Sequence, residues 1–460
     1  MAGKAVLGLS MTAVLAALAS QTIAATPTPS EIDAAVQAAM TASQAPSASV
    51  AVVRDGQVVY ARAFGLAQIG PEVGATASTR YQIASVSKEF TAAAVLLLQE
   101  EGKLSLDDTV AKWFPDLTSA DKITVRQLLS HTSGYSDYWP QDYVMLPVTR
   151  PTTPQAIMDI YAKAPLDYPP GEDWQYSNTG YVVAGQIVEK VSGQPLFDFL
   201  QARILKPVGI TDATDVSAVD LKAPDALGYQ RQGLGPNRLA PTAGQGWPYG
   251  AWPLGLTAED VAKWDISILK RSLMTPRSYD TEVTTIKLNN GSDSGYAMGL
   301  FVDTDNGHRR YRHGGEGAGY LSDNRIYPDD GLAIVVLTNT MSGSAQGDIA
   351  DRIAFMYLPL QGADATVLHA FEGLQKGQVD RAGLTENCNA YLTSQALADF
   401  KANLGALGAP VTFKLVGSSN RGGMEQRSYR VRTQSGKLVS LNVYLTKDGK
   451  VEQFLVSLVS

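Results

Sequence analysis

This sequence has few residues suited to cross-linking or to holding a metal. Cys388 is its single cysteine, which excludes an internal disulfide. The four histidines are scattered, and no His/Cys/Asp cluster has metal-ligand spacing, so neither metal nor cofactor is expected. Phosphate-cradling Gly-x-x-x-x-Gly-Lys and the Gly-x-Ser-x-Gly elbow are both missing. There is no basic run, and a net charge of -7 excludes a nucleic-acid surface. Long apolar runs are missing too: Ala92 to Leu98 and Leu332 to Leu337 fall short of the ~20 residues a membrane span requires. They read as a core helix and a core strand, and no stable membrane insertion is expected.

What is present suits a folded, exported protein. With 460 residues, 45% hydrophobic and 18% charged, the chain can bury a core and form more than one unit. Lys4, the apolar stretch Ala5 to Ala19, polar Ser20-Gln21-Thr22 and small Ala24 and Ala25 predict a cleaved secretory leader over 1–25. The mature protein is therefore expected in the periplasm or outside the cell.

The pattern predicts a helix capped by Ser30 with Ile32, Val36 and Met40 on one face, then a hairpin turning at Asp55-Gly56 between Ser49 to Val53 and Val58 to Phe64. Tyr81 to Leu98 reads as a short extended approach into an Ala/Leu-rich helix. The middle mixes helices (Thr124 to Leu129, Thr179 to Val191, Thr257 to Leu269) with aromatic- and proline-rich loops suited to walling a site. Strands resume at Tyr296 to Val302, Arg309 to His313, Leu321 to Tyr327 and Leu332 to Leu337. Strands at both ends of a helical middle predict an α+β unit over 26–361, its sheet drawn from both chain ends. A small α+β unit over 362–460 follows: helices to about Leu404, then an antiparallel meander with Val439, Leu441, Val443 and Leu445 on one face and Phe454, Val456 and Leu458 on another.

Ser-x-x-Lys occurs three times, at Ser85-Lys88, Ser119-Lys122 and Ser267-Lys270, and about two such matches arise by chance in a chain this long. Only Ser85 stands where an extended stretch enters a long apolar helix. A helix start offers free N–H groups and a positive dipole end to a developing anion. The i, i+3 spacing puts Lys88 on the same face, where burial would free its amine to act as a base. Alone, the pair reads equally as a capping serine and a surface lysine. Two further patterns occur once each: Tyr176-Ser177-Asn178 before a helix, and His313-Gly314-Gly315 at a strand end.

Ser-x-x-Lys, then Tyr-x-Asn, then His-x-Gly resembles the serine β-lactamase and penicillin-binding protein superfamily, specifically its class C β-lactamase, D,D-carboxypeptidase and esterase branch. The likeness runs from about Ser30 to Leu360 and includes Leu128 to Gly134. It implies a β-lactamase/transpeptidase-like domain, an antiparallel sheet with a helical part, ahead of the C-terminal unit. It further implies Ser85 as nucleophile, Lys88 as its proton acceptor and Tyr176 as proton relay to the leaving group. Asn178 would bind the substrate's amide or ester side, and His313 would support Tyr176 or face a substrate carboxylate. The N–H groups of Ser85 and Glu316 would form the oxyanion hole, with Gly314 and Gly315 admitting substrate close to the strand. Ser322-Asp323-Asn324 imitates the motif of another branch but follows His-x-Gly, out of order.

His313 departs from the lysine usual in such β-lactamases; near an ordinary pKa of about 6.5 it would be only partly charged and a poor anchor for an anionic antibiotic. That favours a D-amino-acid peptidase, D,D-carboxypeptidase or esterase acting on a small-molecule or peptide substrate, with peptidoglycan fragments as a source, over a β-lactamase. A non-catalytic penicillin-binding sensor or cell-wall binding protein is the alternative of another class. Glu316 either attracts a free amine or is a solvated rim residue. His131 reads as structural, and His308 and His369 as surface residues. Tyr135, Tyr138 and Trp139 either wall the cleft or pack a loop.

Overall fold

The structure, a computed structural model, describes residues 26–459, so the predicted leader lies outside the described residues. The main unit is built on a seven-stranded sheet. Its strands are β1 (Ser47–Arg54), β2 (Gln57–Ile69), β3 (Glu72–Gly74), β4 (Phe301–Asp305), β5 (His308–Gly317), β6 (Tyr320–Tyr327) and β7 (Leu332–Thr338), in the order β3-β2-β1-β7-β6-β5-β4. Every pairing is antiparallel, and β1 meets β7 with Ser49 opposite Leu337. The two ends of this unit thus share one sheet.

β7 is apolar at all but one position, and β1 is apolar from Val50 to Val53, because helices cover both faces. Val50, Val52, Ile334 and Val336 pack with Ile32 and Val36 of α1 (Pro29–Ser43) and with Ile349 and Ile353 of α5 (Ala345–Tyr357). Ala51, Val53, Val335 and Leu337 face the larger core, which holds α2 (Ser87–Glu100), α3 (Asn178–Ser192) and α4 (Ala258–Lys270). Alternation along a strand makes this two-sided burial possible, and each such valine, leucine or isoleucine contributes about 1.5–3 kcal/mol. At the hairpin, Asp55 (φ 51°) and Gly56 (φ 73°) take the left-handed conformation that a two-residue turn requires.

After β7 and α5 come α6 (Gly362–Lys376), α7 (Glu386–Tyr391) and α8 (Ser394–Leu404), then a four-stranded antiparallel sheet: β8 (Pro410–Arg421), β9 (Met424–Thr433), β10 (Leu438–Leu445) and β11 (Val451–Leu458). Val439, Leu441, Val443 and Leu445 share a buried face as predicted. Along β11 only part of the predicted face is covered: Phe454 is buried, but Leu458 is 62% exposed. Asn306 joins the two sheets, its Nδ2 donating to Phe413 O at 2.8 Å and its Oδ1 accepting from Leu415 N at 3.4 Å.

Several local expectations are corrected. Thr28, not Ser30, caps α1, because Thr28 and Glu31 form a reciprocal capping box. The predicted strand Tyr296 to Val302 begins only at Phe301; Tyr296 makes an isolated bridge, and Gly299 (φ 84°) turns the chain before it. β5 does not stop at His313 but runs on through Gly317. His308 is buried, bonded through Nδ1 to Asp330 and through Nε2 to Pro359 O at 2.9 Å. Among the described residues no helix is long and apolar enough to cross a membrane.

Candidate active site

Ser85 lies in a 3-10 turn, Ala84–Val86, between the short strand Tyr81–Gln82 and α2. Ala84 holds φ 47°, a left-handed conformation that costs a non-glycine residue about 1–3 kcal/mol. Its surroundings explain the placement. Gly315 and Gly317 of β5 leave room for the Ala84 methyl; a Cβ on either glycine would stand 3.1 or 3.3 Å from it. Ser322 of β6 then donates to Ile83 O at 2.8 Å. The turn carrying Ser85 is therefore clamped onto β5 and β6, and Ser322 serves as a fastener rather than as a second site.

One helical turn on, Lys88 is wholly buried on α2. Its Nζ is 3.0 Å from Ser85 Oγ, 2.8 Å from Asn178 Oδ1 and 3.1 Å from Ala251 O. Burial depresses its pKa from 10.5 to about 7, against the opposing pull of the Asp137 carboxylate. The Tyr176 ring faces this amine, with Nζ 4.8 Å from the ring centroid. The Tyr176 hydroxyl is buried with no hydrogen-bond partner among the described residues; burial raises its pKa far above the ordinary value, and nearby Ser85 counters the rise.

Asn178 opens α3, and both ends of its amide are occupied. Oδ1 accepts from Lys88, while Nδ2 donates to Asp137 Oδ1 at 3.1 Å and Oδ2 at 3.3 Å. His313 is 2% exposed, and its ring approaches Tyr176 only to 6.1 Å between centroids. Nδ1 lies 2.5 Å from Gly314 O, an acceptor, so it carries the proton, and Nε2 accepts from Tyr296 O–H at 2.9 Å. Burial, with Lys88 nearby, lowers its pKa to about 3. The partly charged histidine expected from sequence is thus a neutral one. His131 is also buried and neutral, its Nδ1 accepting from Ser177 N at 3.1 Å, and it stacks at 4.3 Å on the Tyr176 ring.

These groups open into a cavity of about 620 Å³ lined by Ser85, Tyr176, Asn178, His313, Gly314, Gly315 and Glu316. The motif residues expected to act or to bind substrate therefore meet at one place, with Lys88 buried directly behind Ser85. Gly314 faces the opening, whereas a Cβ at Gly315 would strike Ile83 O at 2.3 Å, so the second glycine is needed for packing against the turn. Trp139 lines the cavity, edge-on to Trp252; Tyr135 and Tyr138 are buried loop packing, bonded to Thr118 O and Trp247 O. The mouth carries Asp142 and Glu316; burial, with the Asp142 carboxylate nearby, raises the proton affinity of Glu316, while Arg312 is paired with Asp303 at 2.8 Å. Asp137 and Tyr296 were not visible from sequence, since a lone Asp in Ser136-Asp137-Tyr138 and a Tyr after a glycine match no motif. Among the described residues no group of His, Cys, Asp and Glu side chains could hold a metal ion.

A sequence model of the Beta-lactamase family matches residues 32–356. The protein flp of Staphylococcus aureus (strain N315) is 30% identical over 325 residues, 68% of this chain; the chain spans 63% of flp's length. Penicillin-binding protein 4* of Bacillus subtilis (strain 168) is 27% identical over 307 residues, 63% of this chain and 67% of its own. A D-stereospecific amidohydrolase from Streptomyces sp. superposes with a TM-score of 0.61 at 26% identity, covering 71% of this chain and 98% of that one. The octameric penicillin-binding protein homologue from Pyrococcus abyssi shares the fold at a TM-score of 0.61 and 23% identity, over 93% of this chain and 99% of its own.

Proposed function

Given that the chain belongs to the Beta-lactamase family and has its β-lactamase/transpeptidase-like fold, we propose that it is a serine hydrolase that cleaves D-amino-acid amides and peptides through an acyl-enzyme on Ser85. The observation that carries this reading is the coordination of Lys88. A neutral amine has two N–H donors and one lone pair. Asn178 Oδ1 and Ala251 O take the two donors, which leaves the lone pair for the Ser85 hydroxyl proton.

Ser85 Oγ attacks the carbonyl carbon as its proton passes to Lys88 Nζ. The oxyanion forms against the N–H groups of Ser85 and Glu316. As the tetrahedral intermediate collapses, the amine leaves with a proton relayed by Tyr176, whose unpartnered hydroxyl faces the site. Water then adds to the ester by the reverse relay and releases the acid.

The cavity's charges support the choice of substrate. His313 is neutral and Arg312 is paired, so among the described residues lining the cavity no free cation awaits a carboxylate, and this weighs against a β-lactamase or a D,D-carboxypeptidase. Asp142 and Glu316 at the mouth suit a free substrate amine. The Streptomyces relative is D-stereospecific by its description. Export by the leader over 1–25 is part of the same proposal.

The test is turnover of D- and L-phenylalanine p-nitroanilides, a p-nitrophenyl ester and a chromogenic cephalosporin, by wild type and Ser85→Ala. Hydrolysis of the D-anilide that is lost in Ser85→Ala and falls at least about tenfold, or ~1.4 kcal/mol, on N-acetylation of the substrate is expected. Cephalosporin turnover faster than anilide turnover would overturn the substrate assignment.

A further inference from the structure

Asp137 has no part in the three motifs, yet it touches their chemistry more closely than His313 does. Its Oδ1 accepts from Asn178 N at 2.9 Å, Asn178 Nδ2 at 3.1 Å and Trp139 N at 3.2 Å, and its Oδ2 accepts from Asn178 Nδ2 at 3.3 Å. Asn178 passes the contact on, its Oδ1 lying 2.8 Å from Lys88 Nζ. A carboxylate drawing on one end of an amide polarises the other end into a better acceptor. No lysine, arginine or histidine forms an ion pair with Asp137 among the described residues.

The other groups around Lys88 leave its charge to Asp137, whose own proton affinity burial raises while the Asn178 and Trp139 N–H groups and the Lys88 charge oppose the rise. Tyr176 and Tyr181 present ring faces at 4.8 and 5.4 Å, and burial holds both phenols protonated. His131 and His313 are kept neutral by burial. Glu89, next in the chain, and Asp265 and Glu282 beside it have their proton affinities raised by burial. Asp142 and Glu316 lie at the open mouth. The geometry points to Asp137 as a positioning residue that, through Asn178, fixes the orientation of the Lys88 amine and opposes its loss of charge.

Two pulls meet on one nitrogen. Burial expels the proton, so that the amine can receive one from Ser85; Asp137 favours the ammonium, so that the proton is kept until the leaving group takes it. This inference rests on Lys88 as the base of the proposed reaction.

The experiment measures the second-order rate of labelling by a fluorophosphonate from pH 5 to 9.5 for wild type, Asp137→Asn, Asp137→Glu and Ser85→Ala, with thermal unfolding alongside. Asp137→Asn keeps an acceptor for the Asn178 and Trp139 N–H groups and removes the anion. Its acid limb should therefore move to lower pH by about one unit or more, so that at pH 5.5 it labels several-fold faster relative to its own plateau than wild type does. Asp137→Glu should keep the wild-type midpoint with a lower plateau. An Asp137→Asn profile lowered at every pH with its midpoint unmoved overturns the inference, and so does an Asp137→Glu midpoint displaced as far as that of Asp137→Asn. If Asp137→Asn does not fold, the Asp137→Glu midpoint decides. Labelling that persists in Ser85→Ala is a separate failure, that of the nucleophile assignment.

Discussion

Replacing Gly315 by alanine tests whether β5 really holds the nucleophile turn. The new Cβ would stand 2.2 Å from Ser322 Oγ and 2.3 Å from Ile83 O, with the Ala84 methyl 3.1 Å away. Ser322 can rotate away, at the loss of its 2.8 Å bond to Ile83 O. The Ile83 carbonyl is backbone two residues before Ser85 and cannot. Carbon–oxygen contacts of this kind settle near ~3.3 Å, so the strand and the turn must part by about 1 Å, and a misplacement of that size costs on the order of 100-fold in rate. Overpacking adds a stability loss of about 1–3 kcal/mol. Gly314→Ala is the matched control, because its Cβ would meet only Ser322 O at 3.7 Å, an ordinary contact. The assay is fluorophosphonate labelling of Ser85 together with the unfolding midpoint. Gly315→Ala should lose both rate and stability, while Gly314→Ala should keep the wild-type midpoint. A Gly315→Ala protein that labels within twofold of wild type and melts at the same temperature would refute the clamp.

Tyr176→Phe should separate stability from activity: among the described residues the hydroxyl makes no hydrogen bond and has Ser85 near it, so the unfolding free energy should stay within about 0.5 kcal/mol while turnover falls about 10²- to 10⁴-fold. Equal losses in both would deny the relay role. Burial pushes Glu89 from an ordinary 4.5 up to about 8, so between those values the native chain holds a proton that the unfolded chain has released. Its contribution to stability is therefore complete below about 4.5 and is lost as pH rises toward 8. Glu89→Gln keeps an acceptor for Trp264 Nε1 and removes the titration. Its melting temperature relative to wild type should climb between pH 5 and 8.5, and a pH-independent difference would contradict the shift.

The parts of this fold legible in sequence were those with local chemistry. Asp55-Gly56 announced its hairpin because few other residue pairs accept two positive φ angles, and Ser85 stood out from Ser119 and Ser267 because only it led into an apolar helix. The residues brought to the cavity from Tyr176 and His313 followed from the order of motifs. What escaped notice depended on contacts across the chain. Asp137 gains its meaning only when α3 delivers Asn178 to it. His313 looks titratable until Tyr296 and the burial around it are known. His308 looked like a surface residue because Asp330 and Pro359, distant in sequence, are what enclose it. Leu458 matched the strand's alternation, but the helices do not extend over it.

The joining of β1 to β7 has a consequence for how the chain assembles. The β1–β2 hairpin is local and can form as soon as it is made, yet its other edge, Ala48 to Arg54, has no partner until Leu332 to Thr338 arrives. Until then α1 also lacks α5, against which it buries Ile32 and Val36. Closing so distant a pairing must wait for nearly the whole main unit and makes folding slow. During that wait the uncharged stretch Ala48 to Val53, mostly valine and alanine, stands open as a template for pairing with other chains. The order of the strands thus sets a period of vulnerability to aggregation that ends when β7 docks.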